Sequence, residues 1–283
     1  VRKTKRFLMA VAALALFLGF PKGSYASASM IEKKVPVLLQ INEYDVLYTY
    51  PKQPYLDKNN RLMVPLRAVS ELIGGKVSYN PTQKTALIQM NNKDLQITAG
   101  SKSIQVNNVP RMMDTVPVLY QQSFFIPVRA LIDNLNLPVI IDPNTGLVHI
   151  SSESTDKNQM IEFMKESDLS PADIADHNAI LPLSYDLTLN NNGSGELQNG
   201  RLHIQSKNIS GKVIAEGKED LHVIFLFDKA FQMEADSNTT DQNNERPRPK
   251  LGLNEIFNRT VGFTASNDDE KLRYILAVGR VFK

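Results

Sequence analysis

The chain has 283 residues, 42% of them apolar, with no Cys, no Trp and a formal net charge of +2. Five of the 32 basic residues and none of the 30 acidic ones lie in the first 28 positions, leaving 27 basic against 30 acidic residues beyond them. A chain without basic excess past its N-terminus lacks the electrostatic footprint of a nucleic-acid binder, and one without Cys has neither a disulfide framework nor thiol chemistry and must hold its fold by core packing.

The opening stretch, "VRKTKRFLMAVAALALFLGFPKGSYASASM", reads as a secretory signal. Arg2, Lys3, Lys5 and Arg6 precede an apolar run from Phe7 to Phe20, and Ala26-Ser27-Ala28 supplies the small residues of a cleavage site. The run is short for a membrane span. Cleavage after Ala28 is therefore expected, with the membrane met only through the uncleaved signal, and the mature protein extracellular or associated with the cell wall. Disulfide-free export suits a bacterium.

Past residue 35, "VPVLLQINEYDVLYTY" predicts strands. "RLMVPLRAVSELIGGKVSYNPTQKTALIQ" (Arg61 to Gln89) then returns in degenerate form as "SFFIPVRALIDNLNLPVIIDPNTGLVHIS" (Ser123 to Ser151). Pro65 and Pro127, Arg67 and Arg129, Ala68 and Ala130, Val77 and Val139, Pro81 and Pro143, and Ile88 and Ile150 keep one ungapped register. Each copy predicts a strand, a short helix and a hairpin. Pro65 and Pro127 suit the first helical position, where a missing N–H costs nothing. Leu66, Val69, Leu72 and Ile73 give the first helix one apolar face, and Gly74-Gly75 can end it in a left-handed conformation. The second copy has Asn134-Leu135-Asn136 where a Gly-containing helix end is expected. Between the copies, "KDLQITAG" and "KSIQVNNV" alternate apolar and polar residues and predict two strands joined at Gly100-Ser101.

The motifs Val64-Pro65-Leu66-Arg67 and Ile126-Pro127-Val128-Arg129, each leading into a short helix, together with the strands before them, resemble the copper amine oxidase N-terminal domain family, also called stalk domains, over about residues 36 to 151. The resemblance implies a spacer domain. A copper amine oxidase needs several imidazoles and a Tyr that becomes a quinone. Only His149, His177, His203 and His222 are present, none at H-x-H or H-x3-H spacing. Neither Tyr44, after Glu43, nor Tyr185, after Ser184, sits in an Asn-Tyr-acid motif. No catalytic residue, cofactor or metal site is expected. Pro65, Arg67, Pro127 and Arg129 are structural motif residues, because a residue repeated in both units belongs to the building block. The guanidinium of each Arg can tie its helix to a strand-end carbonyl or to a carboxylate such as Glu71 or Asp133.

"SSESTDKNQ" reads as a polar linker. "MIEFMKESDLSPADIADHNAI" predicts one or two short helices, with Met160, Ile161, Phe163 and Met164 as a packing face and Ser170-Pro171 plus Asp173 as a helix start. From Leu183 the period becomes two: strands are expected in "LSYDLTL", "GRLHIQSKN", "GKVIAE", "DLHVIFLFD", "RTVGFTA" and "KLRYILAVGRVF". The loop "EADSNTTDQNNERPRPK" contains Asp236, Asn238 and Asp241 but no EF-hand Gly, and its "RPRPK" could attract wall polymers or keep the loop extended.

The expected fold class is an α+β N-terminal domain (29–151) of two similar strand-helix-hairpin units, about 36–100 and 101–151. A linker with short helices (152–182) follows, then a mainly β, antiparallel sandwich-like domain (183–283). The expected function is a secreted, non-catalytic binding or scaffold protein whose partner is a cell-wall polymer or an extracellular protein. The alternative is a hydrolytic or carbohydrate-modifying C-terminal domain, which requires carboxylates such as Asp186, Glu196, Asp228 or Glu255 to converge. A third reading, a ligand-binding receptor, requires a largely apolar cavity of several hundred Å3.

Overall fold

The computed structural model describes residues 29–167, 173–191, 197–233, 248–265 and 270–283. The signal and its cleavage site at Ala28, the helix start Ser170-Pro171, Glu196 and the triplet Asp236, Asn238 and Asp241 lie outside the described residues. The described chain is mostly β, in several sheets, with three α-helices.

Both similar stretches run from a strand into a short helix. Strand Leu62–Pro65 enters helix Leu66–Leu72, and strand Ser123–Pro127 enters helix Val128–Leu135. The two strands pair antiparallel, with Val64 opposite Ile126. Pro65 (φ −63°, ψ 118°) and Pro127 (φ −59°, ψ 132°) are the last strand residues and stand one place before the helix, not at its first position. The ladder reaches them: Pro65 faces Phe125 and Pro127 faces Met63, which holds ψ extended. The helices end at equivalent places, Gly74 at φ 87° and Asn136 at φ 56°, so Asn does in the second copy what Gly does in the first.

Hairpin turns follow from residues that accept positive φ. Asn91-Asn92, Asn107-Asn108 and Gln121-Gln122 are all left-handed pairs between antiparallel strands, the geometry of the tight hairpin turn that matches strand twist.

The copies diverge in where their hairpins go. Lys76–Asn80 and Thr85–Met90 continue through Lys93–Thr98, Ser103–Val106 and Val109–Met112 as a five-stranded sheet. Val139–Ile141 and Val148–Ile150 instead join the eight-stranded sheet, through parallel pairing of Val148–Ile150 with Leu39–Ile41. That sheet runs on through Tyr44–Thr49, Leu272–Phe282, Glu219–Phe227 and Phe231–Met233, with Ile174–Asp176 also on Leu272–Phe282.

Tyr44–Thr49 therefore lies inside a sheet whose next strand is the last of the chain. Strand Ser29–Pro36 likewise pairs with Ile180–Asn191 in a four-stranded sheet completed by Leu197–Asn208 and Ile256–Thr264. Sheet hydrogen bonds cross the sequence boundaries at 151 and 183, so those boundaries divide patterns of residues but not sheets.

The eight-stranded sheet is covered on both faces. Leu47, Val223, Phe225, Ile275 and Ala277 meet Leu187, Leu189, Leu202, Ile204, Val261 and Phe263 of the four-stranded sheet. On the other face, Val46, Ile224, Leu226, Leu276 and Val278 join the core that holds both repeat helices. Burial on two faces explains why "HVIFLF" and "YILAV" show no alternation. "GKVIAE" is not a strand and makes one isolated bridge, Ile214 to Leu251.

The polar stretch after Ser151 docks on the first helix. Ser152 Oγ donates to the Ile73 carbonyl (2.7 Å), Asn158 Nδ2 donates to the Glu71 carbonyl (3.3 Å), and Asn42 Nδ2 donates to the Ser152 carbonyl (2.9 Å) and to Thr155 Oγ1 (3.0 Å). Its polar side chains satisfy helix-end carbonyls. Helix Gln159–Ser167 begins earlier than "SPAD", capped by Asn158 Oδ1, which accepts from Met160 N (3.0 Å). Ile161 and Met164 are buried, while Phe163 is exposed and edge-on to Phe231. No described helix is long and apolar enough to cross a membrane.

Candidate binding groove

Leu66, Val69 and Leu72 turn the first helix's apolar stripe into the core, which leaves Arg67 and Glu71, one turn apart, on its open side. Arg67 NH1 donates to the Val77 carbonyl (3.0 Å) and to Glu71 Oε1 (3.3 Å), tying the helix to the strand Lys76–Asn80. Arg129, at the equivalent place, is exposed and has no side-chain hydrogen bond or ion pair among the described residues. The two stretches thus place their arginines alike, one residue past the start of each helix, and the surroundings employ only Arg67.

Across from Arg67 the strand Leu272–Phe282 presents Arg273 and Tyr274. Tyr274 is buried and its Oη donates to the Ala68 carbonyl (3.2 Å), with Glu71 Oε2 at 3.5 Å. Burial foremost, then the Glu71 carboxylate, pushes its phenol well above the ordinary tyrosine range. Arg273 lies over the Tyr50 ring (5.5 Å) and reaches Asp228 Oδ2 (3.5 Å). Between these walls is a groove of about 600 Å3, closed further by Tyr79, Phe124, Asn158 and Met160. Its lining mixes apolar and aromatic residues with four charged ones, Arg67, Glu71, Asp228 and Arg273. No spacing in the sequence announced it, because its two walls are some 200 residues apart.

The candidate carboxylates are employed separately. Asp186 Oδ1 accepts from Lys34 N (2.6 Å), Glu255 Oε2 from Gly252 N (2.5 Å), and Asp228 Oδ1 from Lys271 N (3.0 Å). Of these, Asp228 alone lines the groove.

Five other charged residues meet inside the C-terminal sheets. Arg280 Nε is 2.7 Å from Asp220 Oδ2, and Arg248 NH1 is 3.1 Å from Asp220 Oδ1 while donating to the Glu219 carbonyl. Arg259 NH1 is 3.2 Å from Glu219 Oε1. Arg248 belongs to "RPRPK" and is 3% exposed. Arg248 is thus paired with a carboxylate in the interior and is not offered to a polymer, whereas Lys250 is exposed and Arg246 lies outside the described residues.

The histidines do not gather at one place. His149 is half-buried on a strand, His203 Nδ1 is 2.8 Å from Thr260 Oγ1, and His177 and His222 line a cavity of about 260 Å3 beside Arg280. Among the described residues no three His, Asp or Glu side chains gather as metal ligands. The residues present do not fit the imidazole-rich centre that the word copper suggests.

Neither the curated proteins nor the solved structures offer a match to this chain. A family model does match, over less than half its length. Residues 40–150, which hold both helices and the Arg67 wall of the groove, match the model of the copper amine oxidase N-terminal domain.

Proposed function

We propose that this chain is an exported, non-catalytic binding or scaffold protein of the cell wall or extracellular space, and that its ligand seats in the groove between Arg67 and Arg273. The observation that carries this reading is the composite build of the groove. One wall belongs to the family segment and the other to the last strand, and the two are joined by the Tyr274 to Ala68 hydrogen bond. A preformed concavity with a few polar groups on rigid elements is where a ligand binds at low ordering cost. The two carboxylates of the groove, Glu71 and Asp228, are each paired with an arginine, at 3.3 and 3.5 Å, and this commitment favours binding over hydrolysis, which needs a pair free to act on one bond.

We also infer that residues 36–100 and 101–151 are two versions of one strand-helix-hairpin unit. The shared register and the equivalent helix ends at Gly74 and Asn136 support this.

Co-sedimentation with purified Gram-positive cell walls tests the binding reading. The chain from Ser29 to Lys283 should pellet with the walls, and Ser123→Arg, which fills the groove from its rim, should stay in the supernatant. A wild-type chain that stays in solution, or a folded variant that pellets equally, would overturn it. A fragment ending at Ser151 is unsuitable, since it strips Tyr44–Thr49 of its neighbour Leu272–Phe282.

A further inference from the structure

We propose that the groove takes a neutral oligosaccharide, with the Tyr79 ring as the platform for one sugar face. This rests on the binding reading above and adds the chemistry of the ligand.

Charge comes first. The groove holds two guanidiniums and two carboxylates, joined as Arg67 with Glu71 (3.3 Å) and Arg273 with Asp228 (3.5 Å). A polyanion attracted to either arginine would meet the carboxylate beside it, and a polycation the reverse. An uncharged ligand avoids both penalties.

Hydrogen-bonding capacity comes next. Each guanidinium carries five N–H donors in a planar fork, and Arg67 commits NH1 to Glu71 and Val77. A carboxylate has about four acceptor sites, of which Asp228 uses one on Lys271 N and one on Arg273. Donor forks beside acceptor pairs suit neighbouring hydroxyls, each of which donates and accepts. Asn158, whose Oδ1 accepts from Met160 N and Ile161 N and whose Nδ2 donates to the Glu71 carbonyl, adds its second amide N–H at the same rim.

The apolar part completes the match. Tyr79 is 45% exposed, yet its ring is held edge-on by Phe124 at 5.7 Å. Amphipathic sugar rings have C–H faces that such an aromatic face covers while their hydroxyls stay in reach of polar groups. A ring supported by a buried neighbour stacks with little entropy left to lose.

Calorimetric titration of the chain from Ser29 to Lys283 tests this, with cellotetraose and the N-acetylglucosamine tetramer as neutral glycans and blocked tetra-alanine as a peptide. At least one glycan should bind. Tyr79→Ala should weaken it tenfold or more with the thermal midpoint held within a few degrees, and Tyr79→Phe should bind nearly as wild type. Should Tyr79→Ala not fold, Ser123→Arg should abolish the glycan heat instead. No heat with either glycan, binding indifferent to these substitutions, or heat from the peptide alone would overturn the inference. If walls still pelleted the protein in that case, the binding reading would stand and only the glycan would be excluded; if they did not, both would fall.

Discussion

Tyr274 and Ala68 are 206 residues apart in the chain, and the phenol of one donates to the backbone carbonyl of the other at 3.2 Å. The bond ties the last strand to the first helix, and both residues line the groove. Tyr274→Phe keeps the ring but leaves the Ala68 carbonyl without that donor, which costs about 1–2 kcal/mol for a buried group. A lower thermal midpoint with unchanged far-UV dichroism is expected. Because the groove is shared, wall binding should weaken in the same variant.

The helix ends make a second prediction. Gly74 and Asn136 are equivalent and both left-handed, but a Cβ on Gly74 would lie 1.9 Å from the Ser154 carbonyl oxygen. The segment after Ser151 docks on the first helix end through Ser152 and Ile73. Gly74→Asn should therefore destabilise by at least about 2 kcal/mol, clash added to the left-handed penalty, although Asn serves at 136. Asn136→Gly should change stability by only a few tenths of a kcal/mol, about the scale of an exposed turn substitution. Urea melts of the two variants check this.

Asp45 offers a pH signature. It is buried on Tyr44–Thr49 opposite Gln40, and its Oδ1 has no hydrogen-bond partner. Burial raises its carboxyl well above the ordinary range, an effect partly offset by a hydrogen bond from Gln40. A carboxyl whose folded value is raised binds its proton more tightly in the native state. Stability is thus greatest below the unfolded value near 4 and falls as pH rises toward the folded value, by up to about 1.4 kcal/mol per pH unit. Asp45→Asn should raise the thermal midpoint at pH 7 and lose most of that advantage at pH 4. An equal effect at both values would place the cause elsewhere.

The interior ion network predicts an asymmetry between its members. Asp220 is fully buried and receives both Arg248 and Arg280. Asp220→Ala leaves two guanidiniums facing one another in the core and should cost about 3–5 kcal/mol. Arg67→Ala breaks an exposed pair and should cost about 1 kcal/mol or less. Denaturation midpoints for the two variants, compared at 0.05 and 0.5 M salt, should show the Arg67 effect fading and the Asp220 effect persisting, as a Debye length of about 10 Å at 0.1 M screens only exposed charge.

What could be read from residues alone was local. The similarity of the two stretches stood out because Pro65, Arg67 and Ala68 recur in register as Pro127, Arg129 and Ala130, and the family match at residues 40–150 spans both. Period-two alternation located Leu183, Tyr185, Leu187 and Leu189 on one strand, and Gly74 marked a helix end, because side-chain direction and φ are properties of a few adjacent residues. Strand partners were decided only by the tertiary structure. A strand exposes the same backbone donors and acceptors to any neighbour, and what selects Leu272–Phe282 for Tyr44–Thr49 is the fit of two apolar faces and the layers above and below them. For the same reason "SSESTDKNQ" read as a linker though it docks on a helix end, nothing in "RPRPK" marked Arg248 as the partner of Asp220, and the groove stayed hidden. Each depends on a partner more than 25 residues away, and hydrogen-bonding capacity in a sequence does not say where it will be spent.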